Sequence, residues 1–385
     1  MKAGSRRRFL TTAAMTAVAA SLHGRASALL AQVATVGRRI VRQSAPDNLE
    51  TEPAALVEFI TPTDAHYIRS HFAVPQVDAA TWTLQVKGAV GQPLTLTLDQ
   101  LRALPKFSRV VTIECAGNGR SYLKPAVGGV QWERGAVSTA EWTGVRLSDL
   151  LSRAGAATDA TRLLFEGRDK GEVKNTPLPA GPITFHRSLP IDEAKTRDAF
   201  VAYAMNGQPL PAAHGAPVRL IVPGTFGMAS VKWLSSIEVL KGDFASYWES
   251  TDYAYWDRSS GRPSRRPLLG LHVKSVIASP SPAAEVRGGA TAEVVGLAWS
   301  DGVVNRVEVS TDGGSTWKDA EFTDPESAWT WRRWRYRWQV PAGAGEAVLM
   351  SRATDAKGRT QPATRNPDFG TYVINHVVPM PVKIV

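Results

Sequence analysis

The 385-residue chain holds one cysteine, Cys115, in the run Ile113-Glu114-Cys115-Ala116-Gly117-Asn118-Gly119-Arg120. A single thiol forms no internal disulfide and cannot attach a c-type haem, which requires Cys-x-x-Cys-His. As a thiolate it is a soft ligand suited to a heavy redox metal. As a thiol it is a small buried hydrophobe, and this window alone leaves both readings open. The glycines and asparagine that follow predict a tight turn where backbone passes close to something bulky, and Arg120 adds a cation that does not deprotonate.

The elements that must position this run fall into two parts. Upstream of about residue 265, extended segments such as 82–86 and 110–114 alternate with short helical stretches such as 147–154, where apolar residues recur at helical spacing. This predicts a mixed α and β domain over 61–262, preceded by an N-terminal extension, 29–60. After the Pro/Arg/Ser-rich stretch 261–267, apolar and polar residues alternate between turn signals. Residues 273–277, 292–298, 305–310, 334–340 and 347–353 read as strands, with a hairpin turn at Thr311-Asp312-Gly313-Gly314. The expectation for 268–385 is an immunoglobulin-like β-sandwich, making the fold class α+β.

Six of the twelve tryptophans, Trp299, Trp317, Trp329, Trp331, Trp334 and Trp338, lie in this second part, interleaved with Arg332, Arg333, Arg335 and Arg337. An aromatic and basic surface for nucleic acid or membrane is one reading. A core strand or subunit interface, with one face buried and the other paired, is the preferred one.

Ser5-Arg6-Arg7-Arg8-Phe9-Leu10, an alanine-rich apolar stretch to Ala20, and Ala26-Ser27-Ala28 form a twin-arginine signal pattern with a small-residue cleavage site over 1–28. The expectation is a protein exported folded to the periplasm, a route used by enzymes that acquire a cofactor before export. The apolar stretch is too short for a permanent span, and none is expected in the mature chain. The formal charge is +10; residues 1–28 carry five Lys and Arg and no acid, so their removal leaves +5. That modest excess suits an anionic substrate or acidic partner, and no nucleic-acid motif accompanies it.

Three runs together identify a family resemblance. They are the Cys115 segment, residues 132–147 (Trp-Glu-Arg-Gly-Ala-Val-Ser-Thr-Ala-Glu-Trp-Thr-Gly-Val-Arg-Leu), and residues 205–234. The last contains Asn206-Gly207-Gln208-Pro209-Leu210-Pro211, His214-Gly215, Pro217-Val218-Arg219, Val222-Pro223-Gly224 and Val231-Lys232-Trp233-Leu234. In this order they resemble the sulfite oxidase family of molybdopterin enzymes, and within it the bacterial periplasmic sulfite dehydrogenases. Residues 307–317 and Tyr372-Val373-Ile374-Asn375-His376 are similar to the family's dimerisation domain.

The resemblance implies that Cys115 binds molybdenum beside the two dithiolene sulfurs of one pterin. It implies that Arg69, in His66-Tyr67-Ile68-Arg69-Ser70-His71, and Arg120 face the anionic substrate, and that His71 lies near the cofactor. Asp252-Tyr253 matches an Asp-Tyr pair beside the metal, and Trp132 a tryptophan of the pocket wall. His214, Arg219 and Lys232 match residues that hold the pterin and its phosphate.

Two departures reduce the expected positive charge. Gly128-Gly129 stands where vertebrate members place a basic residue before glycine. Asn366-Pro367-Asp368-Phe369-Gly370 stands where they carry Trp-Asn-Leu-Arg-Gly. No haem is expected in this chain, so the resemblance implies sulfite oxidation with a separate c-type cytochrome as acceptor or subunit, in a homodimer or heterodimer. The alternatives are a sulfane dehydrogenase subunit of a thiosulfate-oxidising system, a molybdopterin sulfoxide reductase, and a non-catalytic subunit with a metal-free Cys115.

Overall fold

The computed structural model describes residues 37–385. The expected signal segment lies outside the described residues.

Two five-stranded sheets build the first domain. In one, Phe107–Glu114 pairs with Val137–Arg146, which pairs with Phe200–Met205, all antiparallel, with Gln208–Pro209 and Arg219–Ile221 flanking the last. The other runs Leu94–Thr97, Thr83–Gly88, Leu234–Leu240, Arg162–Gly171, Ile183–Pro190, with one parallel pair, Leu234–Leu240 beside Thr83–Gly88. Helix Leu147–Ala154 forms where the spacing predicts. It buries Leu147, Leu150, Leu151 and Ala154 on one face and stops at Gly155, whose φ of 63° only glycine adopts without strain.

The segment expected as an N-terminal extension is, from residue 39 onward, part of the fold. Arg39–Ser44 and Asp47–Thr51 form a hairpin whose second strand pairs with Ile68–Arg69. Within the stretch 261–267, Ser264–Pro267 pairs with Ala254–Asp257 and Arg265 lies over the Trp256 ring.

The second domain is the expected sandwich. One sheet runs Lys274–Ser279, Thr291–Trp299, Arg332–Gln339, Glu321–Phe322. The other runs Glu285–Val286, Met380–Ile384, Gly345–Asp355, Val304–Ser310, Lys318–Asp319. Alternation along Arg332–Gln339 sends Trp334 and Trp338 into the core and leaves Arg335 and Arg337 outside, where Arg335 pairs with Glu321. Trp334 lies opposite Gly296, where a Cβ would come within 2.3 Å of its ring. Trp299 and Trp331 instead join the core of the first domain. Trp331 donates its indole hydrogen to Phe59 O, and Thr112 N donates to Trp329 O. Tryptophan here serves both as sandwich core and as the joint between domains.

Candidate functional site

Cys115 begins the turn after strand Phe107–Glu114. Its N–H donates to Ala136 O, and Asn118 N–H returns to Cys115 O. The turn runs through Gly119 at φ 97° and delivers Arg120 into a buried slot. There Arg120 Nε donates to Thr371 O at 3.1 Å and Nη1 to Val130 O at 2.8 Å, with the guanidinium 5.4 Å above the Tyr372 ring. The bulky group the glycines accommodate is this guanidinium: a Cβ on Gly117 would lie 2.2 Å from Nη2, and one on Gly129 2.8 Å from Nη1.

Two cavities meet at Cys115. The inner one is lined by His66, Tyr67, Asp169, His214, Arg219 and Lys232, among others. The outer one opens past Arg120, Lys174, Asp252, Thr371 and Tyr372. Arg69, His71, Cys115 and Tyr253 line both and form the neck between them. Arg69 stands on its short strand because Asn48, fully buried on the neighbouring strand, accepts from Nη1 at 3.3 Å and from Ser70 N at 3.1 Å.

The inner cavity collects positive charge. Lys232 Nζ donates to Ala213 O and Ser70 Oγ; Arg219 donates to His214 O and Ser230 O. Burial, then the charge of Arg219, pushes Lys232 down to about 7, and burial lowers Arg219 to about 10. Burial holds His66 at about 3 and pushes His214 well below the usual histidine range, with His66 as the next cause. Asp169 is the acid of this lining, raised to about 6 by burial. Nε2 of His214 and Nε of Arg219 are buried with no hydrogen-bond partner among the described residues. The Arg219 Nε–H is a charged donor left unpaired, and with the neutral imidazole beside it asks for a group with acceptor oxygens.

At the neck, Tyr253 ends the turn Trp248–Asp252. Arg187 and Glu249 fasten that turn: Arg187 donates to Trp248 O and Leu268 O, and Glu249 accepts from Ser188 N at 2.7 Å. The Tyr253 hydroxyl lies 2.5 Å from His71 Nε2, and the His71 ring stacks on Phe185 at 4.3 Å. Burial, reinforced by Arg69, keeps His71 neutral, and burial raises Tyr253 so that it stays protonated. Asp252 accepts from Asn175 at 3.1 Å and from the Tyr372 hydroxyl at 2.7 Å. Tyr372 leans on Tyr253 with ring centroids 4.9 Å apart.

The structure thus gathers Arg69, His71, Cys115 and Tyr253 at the neck, Arg120 and Asp252 in the outer cleft, and His214, Arg219 and Lys232 in the inner cavity. Trp132 is placed differently from expectation. It is fully buried in the cluster that backs Cys115 and lines neither cavity, because Trp132 N–H turns back onto Val130 O and carries the ring inward. Sequence reasoning missed His66, Asp169, Asn48 and Tyr372. Tyr372 sat in a segment read only as a domain signature, and His66 in the run quoted for Arg69.

The residues fit a molybdenum–pterin group. Among the described residues no three of His, Cys, Asp and Glu cluster around a metal position. A metal at Cys115 would take one thiolate from the chain and its remaining ligands from a cofactor. The unpaired Arg219 Nε–H and the unpaired Nε2 of neutral His214 are polar atoms that suit that cofactor's phosphate.

The model of the oxidoreductase molybdopterin binding domain matches residues 71–248, and that of the Mo-co oxidoreductase dimerisation domain matches 265–373. Human mitochondrial sulfite oxidase is 39% identical over 349 residues, covering 85% of this chain and 62% of that protein. The chain therefore spans less than two thirds of the length of its mammalian relatives. Chicken (Gallus gallus) sulfite oxidase is 36% identical, covering 84% of this chain and 72% of that protein. Among solved structures, the sulfane dehydrogenase SoxCD from Paracoccus pantotrophus superposes with a TM-score of 0.77 at 27% identity, covering 91% of both chains. Among the described residues no helix is long and apolar enough to cross a membrane.

Proposed function

Because the chain belongs to the sulfite oxidase family of molybdopterin oxidoreductases, we propose that it oxidises sulfite to sulfate in the periplasm and passes the electrons to a c-type cytochrome. The observation that carries this reading is the position of Cys115, at the neck between a cationic inner cavity and an open cleft that presents arginines. Bound through Cys115, a molybdenum–pterin group would supply two-electron oxygen-atom transfer.

The residues of the chain divide the remaining work. His214, Arg219 and Lys232 hold the pterin phosphate, and their burial strengthens each contact with it. Arg69 and Arg120 bind the sulfite oxygens and turn the sulfur lone pair toward the neck. Arg120 is held on two backbone carbonyls, so little entropy is lost when it engages the anion. The Tyr253 hydroxyl, fixed by neutral His71, offers a hydrogen bond to the oxygen being transferred. Asp252 braces that turn from the solvent side.

A single cysteine leaves no Cys-x-x-Cys-His site for attaching a c-type haem within these 385 residues. The dimerisation-domain match supports assembly as a homodimer or with a cytochrome subunit. The test is sulfite-dependent reduction of cytochrome c by molybdenum-loaded protein, expected to slow with rising ionic strength as docking charges are screened. A flat salt response would count against electrostatic docking. The likeness to SoxCD favours a second reading, a substrate sulfur carried on a protein thiol. Loaded protein that ignores sulfite but oxidises such a carrier would establish that reading instead.

A further inference from the structure

The second domain does more than offer a surface for assembly. Of the six residues 114–119 that surround Cys115, four take a partner from beyond residue 268. Glu114, 3% exposed, accepts from Lys274 Nζ at 2.9 Å on one carboxylate oxygen and from Trp299 Nε1 at 2.8 Å on the other. Ala116 O accepts from Val373 N at 2.9 Å. Asn118 O accepts from the same Lys274 Nζ at 3.0 Å, and its side-chain amide donates to Glu114 at 3.1 Å. Gly119 packs against Ile374, so closely that a Cβ would lie 3.0 Å from it. The other two residues, Cys115 and Gly117, bond within the first domain.

Lys274 is also buried, at 6% exposure, and starts the first strand of the sandwich; Trp299 ends the strand that pairs with it, directly opposite in register. The two donors reach the carboxylate from adjacent positions on one rigid sheet. A buried carboxylate with both oxygens engaged has one place to be, and Glu114 is bonded directly to Cys115 along the chain. We propose that Lys274 and Trp299 are positioning residues for the Cys115 thiolate: the β-sandwich clamps Glu114 and thereby fixes where the sulfur points. The proposal rests on the reading of Cys115 as the metal ligand and adds the second domain to the machinery that holds it.

The experiment compares wild type, Lys274→Met, Glu114→Gln/Lys274→Met and Trp299→Phe. It measures molybdenum per chain, the Mo(V) spectrum of loaded protein, the rate of Cys115 alkylation by iodoacetamide in cofactor-free protein, and Tm. Lys274→Met leaves a buried carboxylate without its cation. It is expected to weaken metal affinity at least about tenfold, the usual cost of removing a residue that orients a ligand, lowering molybdenum per chain, and to speed alkylation as the thiol is released.

The double variant removes both charges and should regain Tm while its Mo(V) spectrum and alkylation rate stay altered. Recovery of all readouts together would reduce the clamp to general stability and overturn the proposal. Should Lys274→Met fail to fold, Trp299→Phe keeps an aromatic ring, smaller than the indole, and deletes one hydrogen bond to Glu114; its alkylation rate and spectrum must change, and unchanged values refute the clamp. If wild type itself binds no molybdenum, the functional reading fails, whereas the alkylation comparison still decides whether the second domain holds Cys115.

Discussion

Tyr372→Phe isolates one contact in the outer cleft. The variant keeps the ring that lies against Tyr253 and beneath Arg120, and deletes the hydroxyl that donates to Asp252 at 2.7 Å. Burial, then the neighbouring Tyr253, holds the Tyr372 phenol well above the ordinary tyrosine range, so it remains a donor throughout the neutral region. A hydrogen bond to a carboxylate contributes about 1.5–3 kcal/mol. Asp252 is half-buried and keeps Asn175, and cleft water can replace part of the loss, so the lower bound applies. A loss of about 1.5 kcal/mol corresponds to roughly tenfold in kcat/KM for sulfite. Because the contact acts through Asp252, combining Tyr372→Phe with Asp252→Ala should cost little more than Asp252→Ala alone. The assay is steady-state sulfite oxidation across the four-member cycle, with molybdenum content measured for each. Effects that add within about 0.5 kcal/mol would show the two residues to be independent and refute the coupling.

Three further outcomes are expected. Cys115→Ser should fold and lose its molybdenum, and a retained metal would remove Cys115 as the ligand. Gly117→Ala drives a Cβ toward Arg120 Nη2; KM for sulfite should rise about tenfold at unchanged molybdenum content, the magnitude of one charged hydrogen bond. In cofactor-free protein, Lys232 is depressed to about 7 from 10.5, so the unfolded chain binds more protons between those values and this group's contribution to stability rises with pH across that window. Sulfate, whose charge is constant there, should raise Tm more at pH 6, where Lys232 is protonated, than at pH 8. Lys232→Met should abolish that difference.

The strands of both domains were legible because period-two alternation and turn residues are local signals, and helix Leu147–Ala154 matched to the residue because its apolar face and Gly155 are both written in sequence. The candidate residues were legible through family resemblance, since nothing in the spacing of Arg69, His214 and Tyr253 brings them together; the sheets do. What escaped was contact made across domains. Glu114 reads as an unremarkable strand residue until Lys274 arrives 160 positions later. Tyr372 reads as one more aromatic until the chain returns from the sandwich to the cleft. Trp132 misled for the opposite reason: the family resemblance implied a pocket wall, while the turn from Val130 carries the ring into the core.

That return of the chain has a consequence for biosynthesis. Thr371 and Tyr372 close the outer cleft and follow every described strand except Met380–Ile384. Lys274 and Trp299 likewise emerge from the ribosome long after Cys115. Until the sandwich has been made, the cysteine turn lacks the partners that Lys274, Trp299, Val373 and Ile374 give it. On the reading of Cys115 as the metal ligand, cofactor capture would wait for the sandwich, and a prematurely terminated product would present a thiol without a finished pocket around it.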